Sequence, residues 1–273
     1  MTRLVILLTA FVLAACATPQ PTYQPSGKIE VLWLGQSAFR ITTLNGKVIV
    51  IDPWLQTNPK TPPQFKDLAA LGKVDVILVT HGHADHVTDA PPLAKMHKVR
   101  VYAPSALART LVEVGMLPPE LAPGMNKGGT VTPIGPDIKI TMVRAEHSSE
   151  YMWRNPATGK DEVRFGGEPA GWIIELENGF KIYHMGDTGL FGDMKIIGDL
   201  YKPTLVLIPI GGNFTINAQN AAYATRELIR PQFAIPMHYG TFPLIAANPE
   251  DYAKAVGNAT KVIVPQPGEK IVF

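Results

Sequence analysis

Apolar and polar positions change over in short bursts along most of this chain. Lys28–Leu34, Ala38–Thr43 and Lys47–Ile51 are short, β-branched-rich segments punctuated by Gly35 and by Asn45-Gly46. An Asn-Gly pair between two such runs predicts a tight hairpin, because both residues tolerate the positive φ that its turn requires. Val74–Val79 is apolar throughout, as in a strand covered on both faces. Ser105–Val114 has helical spacing, with Ser105 as candidate N-cap after Pro104. The Gly/Pro-rich stretch Leu117–Gly129 interrupts the rhythm. Strands are predicted again over Val131–Ile134, Ile138–Val143, Trp172–Leu176 and Phe180–Tyr183, then a helix near Asp193–Tyr201. Leu205–Ile208, a helix over Ala218–Ile229 and a strand Phe233–Ile235 close the series. In each half strands come first and alternating strands and helices follow. That order predicts two similar α/β halves sharing one core.

The beginning of the chain has a different pattern. Arg3 precedes an apolar run, Leu4–Ala15, that is too short to span a bilayer as a helix, which takes about 20 residues. Small residues and then Cys16 follow, the only cysteine in 273 residues. The pattern is that of a cleavable export signal over residues 1–15. Leu13-Ala14-Ala15-Cys16 resembles a bacterial lipoprotein box, which implies a lipid on Cys16 as first residue of the mature chain. Residues 16–27 are Pro-rich and uncharged, a tether, and 28–273 form the globular domain. With Ala17 after the cysteine, the resemblance implies an exported, membrane-anchored protein facing the periplasm from the outer membrane. A single cysteine rules out an intramolecular disulfide and a Cys-rich zinc site. Net charge is +2, with no Lys/Arg run to track a phosphate backbone, so no nucleic-acid partner is expected.

The chemistry sits where strands are predicted to end. Thr80-His81-Gly82-His83-Ala84-Asp85-His86 follows directly on Val74–Val79, placing three imidazoles and a carboxylate within six residues. Such groups are poor core material unless paired or bound to metal, and they are standard nitrogen and oxygen ligands for a divalent ion. Gly82 and Ala84 leave room for the loop to curl, so His81 and His83 would face one ion, and Asp85 and His86 another. His147, Asp187 and His238 also follow predicted strands, so that five of the seven histidines lie in the loop motif or at strand exits.

This string, with a distal His, then Gly186-Asp187-Thr188, then His238, resembles the metallo-β-lactamase superfamily. More closely, the chain is similar to the UPF0173 metal-dependent hydrolases, a branch related to ascorbate-6-phosphate lactonases and N-acylphosphatidylethanolamine phospholipase D. The likeness runs from Ile29 to Pro243 and includes Trp33-Leu34-Gly35-Gln36-Ser37-Ala38-Phe39, Ile51-Asp52-Pro53-Trp54, Glu146-His147-Ser148-Ser149-Glu150 and Met237-His238-Tyr239-Gly240-Thr241-Phe242-Pro243. The resemblance implies a four-layer αβ/βα sandwich with two divalent metals between the sheets. It gives His81, His83 and His147 to the first ion and Asp85, His86 and His238 to the second, with Asp187 bridging. Asp52 would brace the metal loop rather than ligate. Gln36 stands where many relatives carry His, and Ile216 where many carry Met. The implied reaction is hydrolysis by a hydroxide shared between the ions, with Asp85 and Asp187 in the catalytic centre. An all-N/O site suits zinc and is open to manganese, iron or nickel.

Several readings stay open at this level. His184 is either a proton donor to a leaving group or a strand-end residue, and His97 reads as surface. Ser148–Gly171 is either a lid or a mobile loop. Gly211–Thr215 either presents amides and Asn213 to an oxyanion or forms a tight turn, and Asn213, Thr215 and Tyr239 are candidate substrate contacts. The substrate expected is a small or lipid-derived molecule. A phosphodiester is narrowly preferred, because of the membrane tether, over a lactone or another ester or amide. A non-catalytic metal-binding lipoprotein is the alternative class. A redox di-iron protein of the same fold would carry a carboxylate in place of His83.

Overall fold

The computed structural model describes residues 27–273, so the export segment, Cys16 and the tether up to residue 26 lie outside the described residues. Two seven-stranded sheets face each other. The first contains β1 (Glu30–Trp33), β2 (Phe39–Thr42), β3 (Val48–Ile51), β4 (Val76–Leu78), β5 (Val101–Pro104) and β6 (Gly124–Met125). The second contains β7 (Thr130–Val131), β8 (Lys139–Arg144), β11 (Ala170–Glu175), β12 (Lys181–His184), β13 (Leu205–Pro209), β14 (Phe233–Met237) and β15 (Lys261–Val262). Between β8 and β11 a separate antiparallel hairpin is formed by β9 (Glu150–Arg154) and β10 (Asp161–Phe165). The last strand, β16 (Lys270–Val272), returns to the first sheet and pairs antiparallel with β1. In each sheet antiparallel pairs give way to parallel ones, at β3–β4 in the first and β12–β13 in the second.

Strand periodicity explains the layering. Ile49 and Ile51 of β3, Val76 and Leu78 of β4, and Leu205 and Leu207 of β13 point into one shared core between the sheets. Their alternate neighbours Val48, Val50 and Ile77 pack outward under α2 (Ala90–His97) and α3 (Ser105–Glu113), whereas Val206 and Ile208 pack under helices of the second half. Those helices are α4 (Met194–Tyr201), α5 (Ala218–Tyr223), continued by a π-helical segment Ala224–Ile229, and α6 (Pro249–Val256). A strand buried on both faces must be apolar at every position, which is why β4 and β13 read as unbroken apolar runs. The arrangement is the four-layer αβ/βα sandwich.

Asn45-Gly46 lies in the loop joining antiparallel β2 and β3, as expected of a hairpin, but only Gly46 is left-handed, at φ 73°, and its amide donates to the Thr43 carbonyl. Some expectations fail locally. Ser105 is the first helical residue of α3 rather than its cap, Pro104 holds the cap position, and no side chain caps that end. The strand expected over Val131–Ile134 shrinks to Thr130–Val131 at the sheet edge. Among the described residues no helix is long and apolar enough to cross a membrane.

Candidate metal centre

All seven candidate ligands lie at one end of the sandwich, where strands of both halves run out. His81 follows β4 by three residues. Asp85 and His86 sit on the single-turn helix α1 (Ala84–Val87). His147 follows β8, Asp187 follows β12, and His238 directly follows β14. The turns are tight. Asp52, Gln36 and His238 adopt φ angles of 46°, 51° and 54°, a left-handed conformation uncommon for non-glycine residues, which Lys98, Lys202 and Arg230 share only as helix C-caps. Gly186 before Asp187 is at φ +62°, and a Cβ there would lie 2.8 Å from the Ala170 carbonyl oxygen and 2.9 Å from Thr80 Cβ.

The side chains form two groups, each able to present ligand atoms within 4.8 Å of one another: His81, His83 and His147, and Asp85, His86, Asp187 and His238. Asp187 lies where the groups meet, its Oδ2 being 2.9 Å from His238 Nε2, 3.3 Å from His86 Nε2 and 3.7 Å from His147 Nε2. Asp85 Oδ2 is 3.5 Å from His238 Nε2 and 3.6 Å from His86 Nε2. His81 Nε2, His86 Nε2 and Asp187 Oδ1 are buried without a hydrogen-bond partner. Each such orphan costs about 1–3 kcal/mol unless something else satisfies it, and converging imidazole and carboxylate lone pairs are what a divalent cation satisfies. The donor set therefore fits metal.

Surrounding groups orient the ligands. Asp52, fully buried, accepts from the Thr80 amide (2.7 Å), from Thr80 Oγ1 (2.6 Å) and from His86 Nδ1 (2.8 Å). A carboxylate can only accept, so His86 carries its proton on Nδ1 and offers Nε2 to the cavity. Thr80 Oγ1 also meets His81 Nδ1 at 3.0 Å. His83 Nε2 contacts Glu150 Oε2 at 2.8 Å, and the Ser149 hydroxyl accepts from the Gly82 amide, tying the metal loop to β9. Gln36 Nε2 donates to Asp85 Oδ2 at 2.8 Å, so this residue touches a ligand directly. Gln36, Thr80, Glu150 and the tether from Ser149 escape a reading by residue type, since none is itself a ligand type at ligand spacing.

The electrostatics are those of a crowded cluster of imidazoles and carboxylates. Burial would raise Asp187, but His238 and His86 outweigh it and hold the carboxyl well below its ordinary range. Burial likewise opposes charge on His238, yet Asp187 raises it to about 9. Burial, reinforced by His86, pushes His81 far down.

Other expected contacts are corrected. His184 is fully buried in the core between the sheets, edge-on to Phe39. Its Nε2 is 2.9 Å from the Ser37 carbonyl and its Nδ1 accepts from the Gly186 amide, so both nitrogens are occupied and it reaches no cavity. The amides of Gly212, Phe214 and Thr215 are spent on Ile216 and Gly212 carbonyls within a tight turn rather than presented to the cavity. Asn213, Thr215 and Tyr239 do not line the cavity; Tyr239 stacks on Trp33 at 5.5 Å. Ser148–Gly171 is largely the β9–β10 hairpin, packed against α3, and only Ser148 of it borders the cavity. His97 is half-buried at the end of α2.

Residues 47–239 match the family model of the β-lactamase superfamily domain. A UPF0173 metal-dependent hydrolase of Cupriavidus necator is 60% identical over 289 aligned positions that cover the whole of both chains. The chain belongs to the UPF0173 metal-dependent hydrolase family. A more distant member from Rubrobacter xylanophilus is 40% identical, covering 90% of this chain and 97% of its own. Among solved structures the chain is similar to Igni18, a metallo hydrolase of the archaeon Ignicoccus hospitalis, with 34% identity, a TM-score of 0.78 and coverage of 90% of this chain and 98% of that one. It is thus a metal-dependent hydrolase of the metallo-β-lactamase superfamily, and its His/Asp groups are where metal would sit.

Proposed function

We propose that this UPF0173 member holds two divalent ions, one on His81, His83 and His147, the other on Asp85, His86 and His238, with Asp187 shared, and hydrolyses an ester-type bond. The observation that carries this reading is the set of buried, unpartnered ligand atoms converging from both halves of the sandwich. Two ions so held would supply a water acidified toward neutral pH and a Lewis acid for the attacked oxygen. The chain's own groups do the positioning. Asp52 keeps His86 in the ligating tautomer, Gln36 selects which face of Asp85 is free, and Asp187, ionised by its imidazole neighbours, presents both oxygens between the groups. No Ser or Cys nucleophile is required. Zinc is the ion that the N/O donor set favours, with manganese, iron and nickel compatible.

A phosphodiester, the narrow preference from the sequence, carries a negative charge. The two ions would meet that charge at the reacting centre, but no Lys or Arg lines the cavity among the described residues to meet any other, so a substrate without further charge is the better supported target. Export and anchoring through Cys16, with the domain facing the periplasm, are part of the same proposal. Incorporation of labelled palmitate that persists in Cys16→Ser would refute the anchor.

The test of the hydrolase reading is the purified chain beside Asp187→Asn, assayed for metal content and for turnover of p-nitrophenyl acetate and bis(p-nitrophenyl) phosphate. We expect about two ions per chain in the native protein and a loss of turnover of at least about hundredfold in the variant. Absence of bound metal, or unchanged turnover in Asp187→Asn, overturns it.

A further inference from the structure

The cavity beside the ligands has a volume of about 680 Å³, and one wall of it takes no part in holding metal. Trp54 and Phe242 stack there, ring centroids 5.9 Å apart and planes at 29°. The Trp54 Nε1–H donates to Thr57 Oγ1 at 2.7 Å. Its one polar atom is thus spent on its own loop, and what it shows to the cavity is hydrocarbon. Ile245 closes the wall from below, fully buried. Phe214 and Phe242 are 54% and 42% exposed, so much of each ring is left in water at the edge of the cleft.

The wall is held in place. Asp89, buried, accepts from the Leu55 and Gln56 amides and from Gln56 Nε2, and its own amide donates to the Pro53 carbonyl, so the turn carrying Trp54 is pinned on both sides. The Gly240 amide donates to the Ile245 carbonyl and closes the loop carrying Phe242. Charge is absent from the same wall. The cations near this end of the sandwich, Lys127 and Arg144, border a different cleft beyond His147. There Lys127 pairs with Glu168, and Arg144 with Glu146 and Asp193. A phosphate or carboxylate remote from the reacting centre would meet no counter-charge here, whereas an alkyl or aryl group would bury its surface against four apolar side chains.

We propose that Trp54, Phe214, Phe242 and Ile245 form a slot for the alkyl or aryl part of the substrate, which makes the substrate class an uncharged ester, lactone or amide with a medium-sized apolar group. The proposal deepens the hydrolase reading above and rests on it for the reacting centre, but the slot itself is a property of the side chains alone. Each methylene that enters it should raise kcat/KM about three- to fourfold until the slot is full.

The experiment uses the zinc-loaded full chain, Phe242→Ala and Trp54→Leu on p-nitrophenyl acetate, butyrate, hexanoate and octanoate, with bis(p-nitrophenyl) phosphate beside them. Isothermal titration with 4-phenylbutyramide, on metal-free and zinc-loaded protein, supplies a readout independent of turnover. Phe242 is partly exposed, so its variant tests the slot even where Trp54→Leu fails to fold. We expect kcat/KM to climb along the ester series, the climb to flatten in both variants, and the amide to bind at least tenfold more weakly in Phe242→Ala with or without zinc. A flat series, binding of the amide unaffected by Phe242→Ala, or a phosphodiester hydrolysed faster than every ester overturns the slot and leaves the hydrolase reading standing. Amide binding that depends on Phe242, with no metal-dependent turnover of any substrate, supports the slot and overturns the hydrolase reading instead.

Discussion

Replacing Asp52 by asparagine is the most informative single change outside the ligands. The carboxylate is fully buried and accepts three hydrogen bonds, from the Thr80 amide, the Thr80 hydroxyl and His86 Nδ1. Asparagine preserves its shape and can still accept from the Thr80 amide through its carbonyl oxygen. The other position becomes an NH2 group, which only donates. His86 Nδ1 must then accept, its proton moves to Nε2, and the lone pair that faced Asp187 and the second ligand group is lost. The fold should survive, because no volume changes. Metal affinity should not: losing a carboxylate behind a ligating histidine costs about 10- to 100-fold, which is roughly 1.4–2.7 kcal/mol. The loss should fall mainly on the second ion, whose ligand His86 Asp52 touches directly, and less on the first, which it reaches only through Thr80 Oγ1 and His81 Nδ1. Competition titration with a zinc chelator resolves the two binding steps, nitrogen-15 spectra of the imidazoles report the tautomer, and far-ultraviolet circular dichroism controls for folding. Native affinity for both ions, or His86 still protonated on Nδ1 in the folded variant, would refute the reasoning.

Three other perturbations follow from the same geometry. Gln36→Leu strips Asp85 Oδ2 of its 2.8 Å donor and should weaken the second ion about tenfold without changing the first, read in the same titration; equal weakening of both would be the wrong outcome. Gly186→Ala forces a Cβ to within 2.8 Å of a carbonyl oxygen at φ +62°; strain of about 1–3 kcal/mol should lower the melting temperature by several degrees, and an unchanged melting curve would contradict it. The metal-free chain should also respond to pH through His238, raised from 6.5 to about 9. A raised value means that the folded state holds the proton more tightly, so this stabilisation is complete below 6.5 and lost as pH rises through about 9. Zinc must displace that proton. Against the effect of burial, Asp187, Asp85 and Asp52 also hold His86 protonated well above its ordinary range. The apparent zinc affinity should therefore climb by at least about one decade per pH unit over this window, and a flat affinity between these limits would exclude the coupling.

What was legible in the sequence is what strong periodicity and ligand chemistry carry. β3, β4 and β13 announce themselves because burial on both faces demands an unbroken apolar run. The seven ligand residues stand out because imidazoles and carboxylates at strand exits have few other uses. What stayed hidden has physical reasons. The β9–β10 hairpin packs on one side only, and Met152, Val163 and Phe165 are exposed, so its positions alternate too weakly to predict strands. α2 begins Ala90-Pro91-Pro92, which reads as a break although proline is tolerated in a first turn. Tyr239 and His184 adjoin site residues in sequence but do not line the cavity. The left-handed turn at His238 sends Tyr239 toward Trp33, and the two-residue period of β12 puts His184 beside Ile182 in the core. Proximity along the chain gives no side-chain direction, and the apolar wall around Trp54 and Phe242 was invisible for the same reason.

Both ligand groups draw from both halves of the sandwich. His81 and His83 come from the first sheet's side and His147 from the second's; Asp85 and His86 from the first, Asp187 and His238 from the second. Neither half supplies a full ligand group alone, so an ion held by either group would act as a cross-link across the seam between the sheets. Whatever it contributes to catalysis, a bound ion also opposes the separation of the two halves, with a free energy that grows logarithmically with its free concentration above the dissociation constant. Scarcity of metal would therefore show itself mechanically before the fold is lost, as a seam that opens more often at the catalytic end and admits proteases there first.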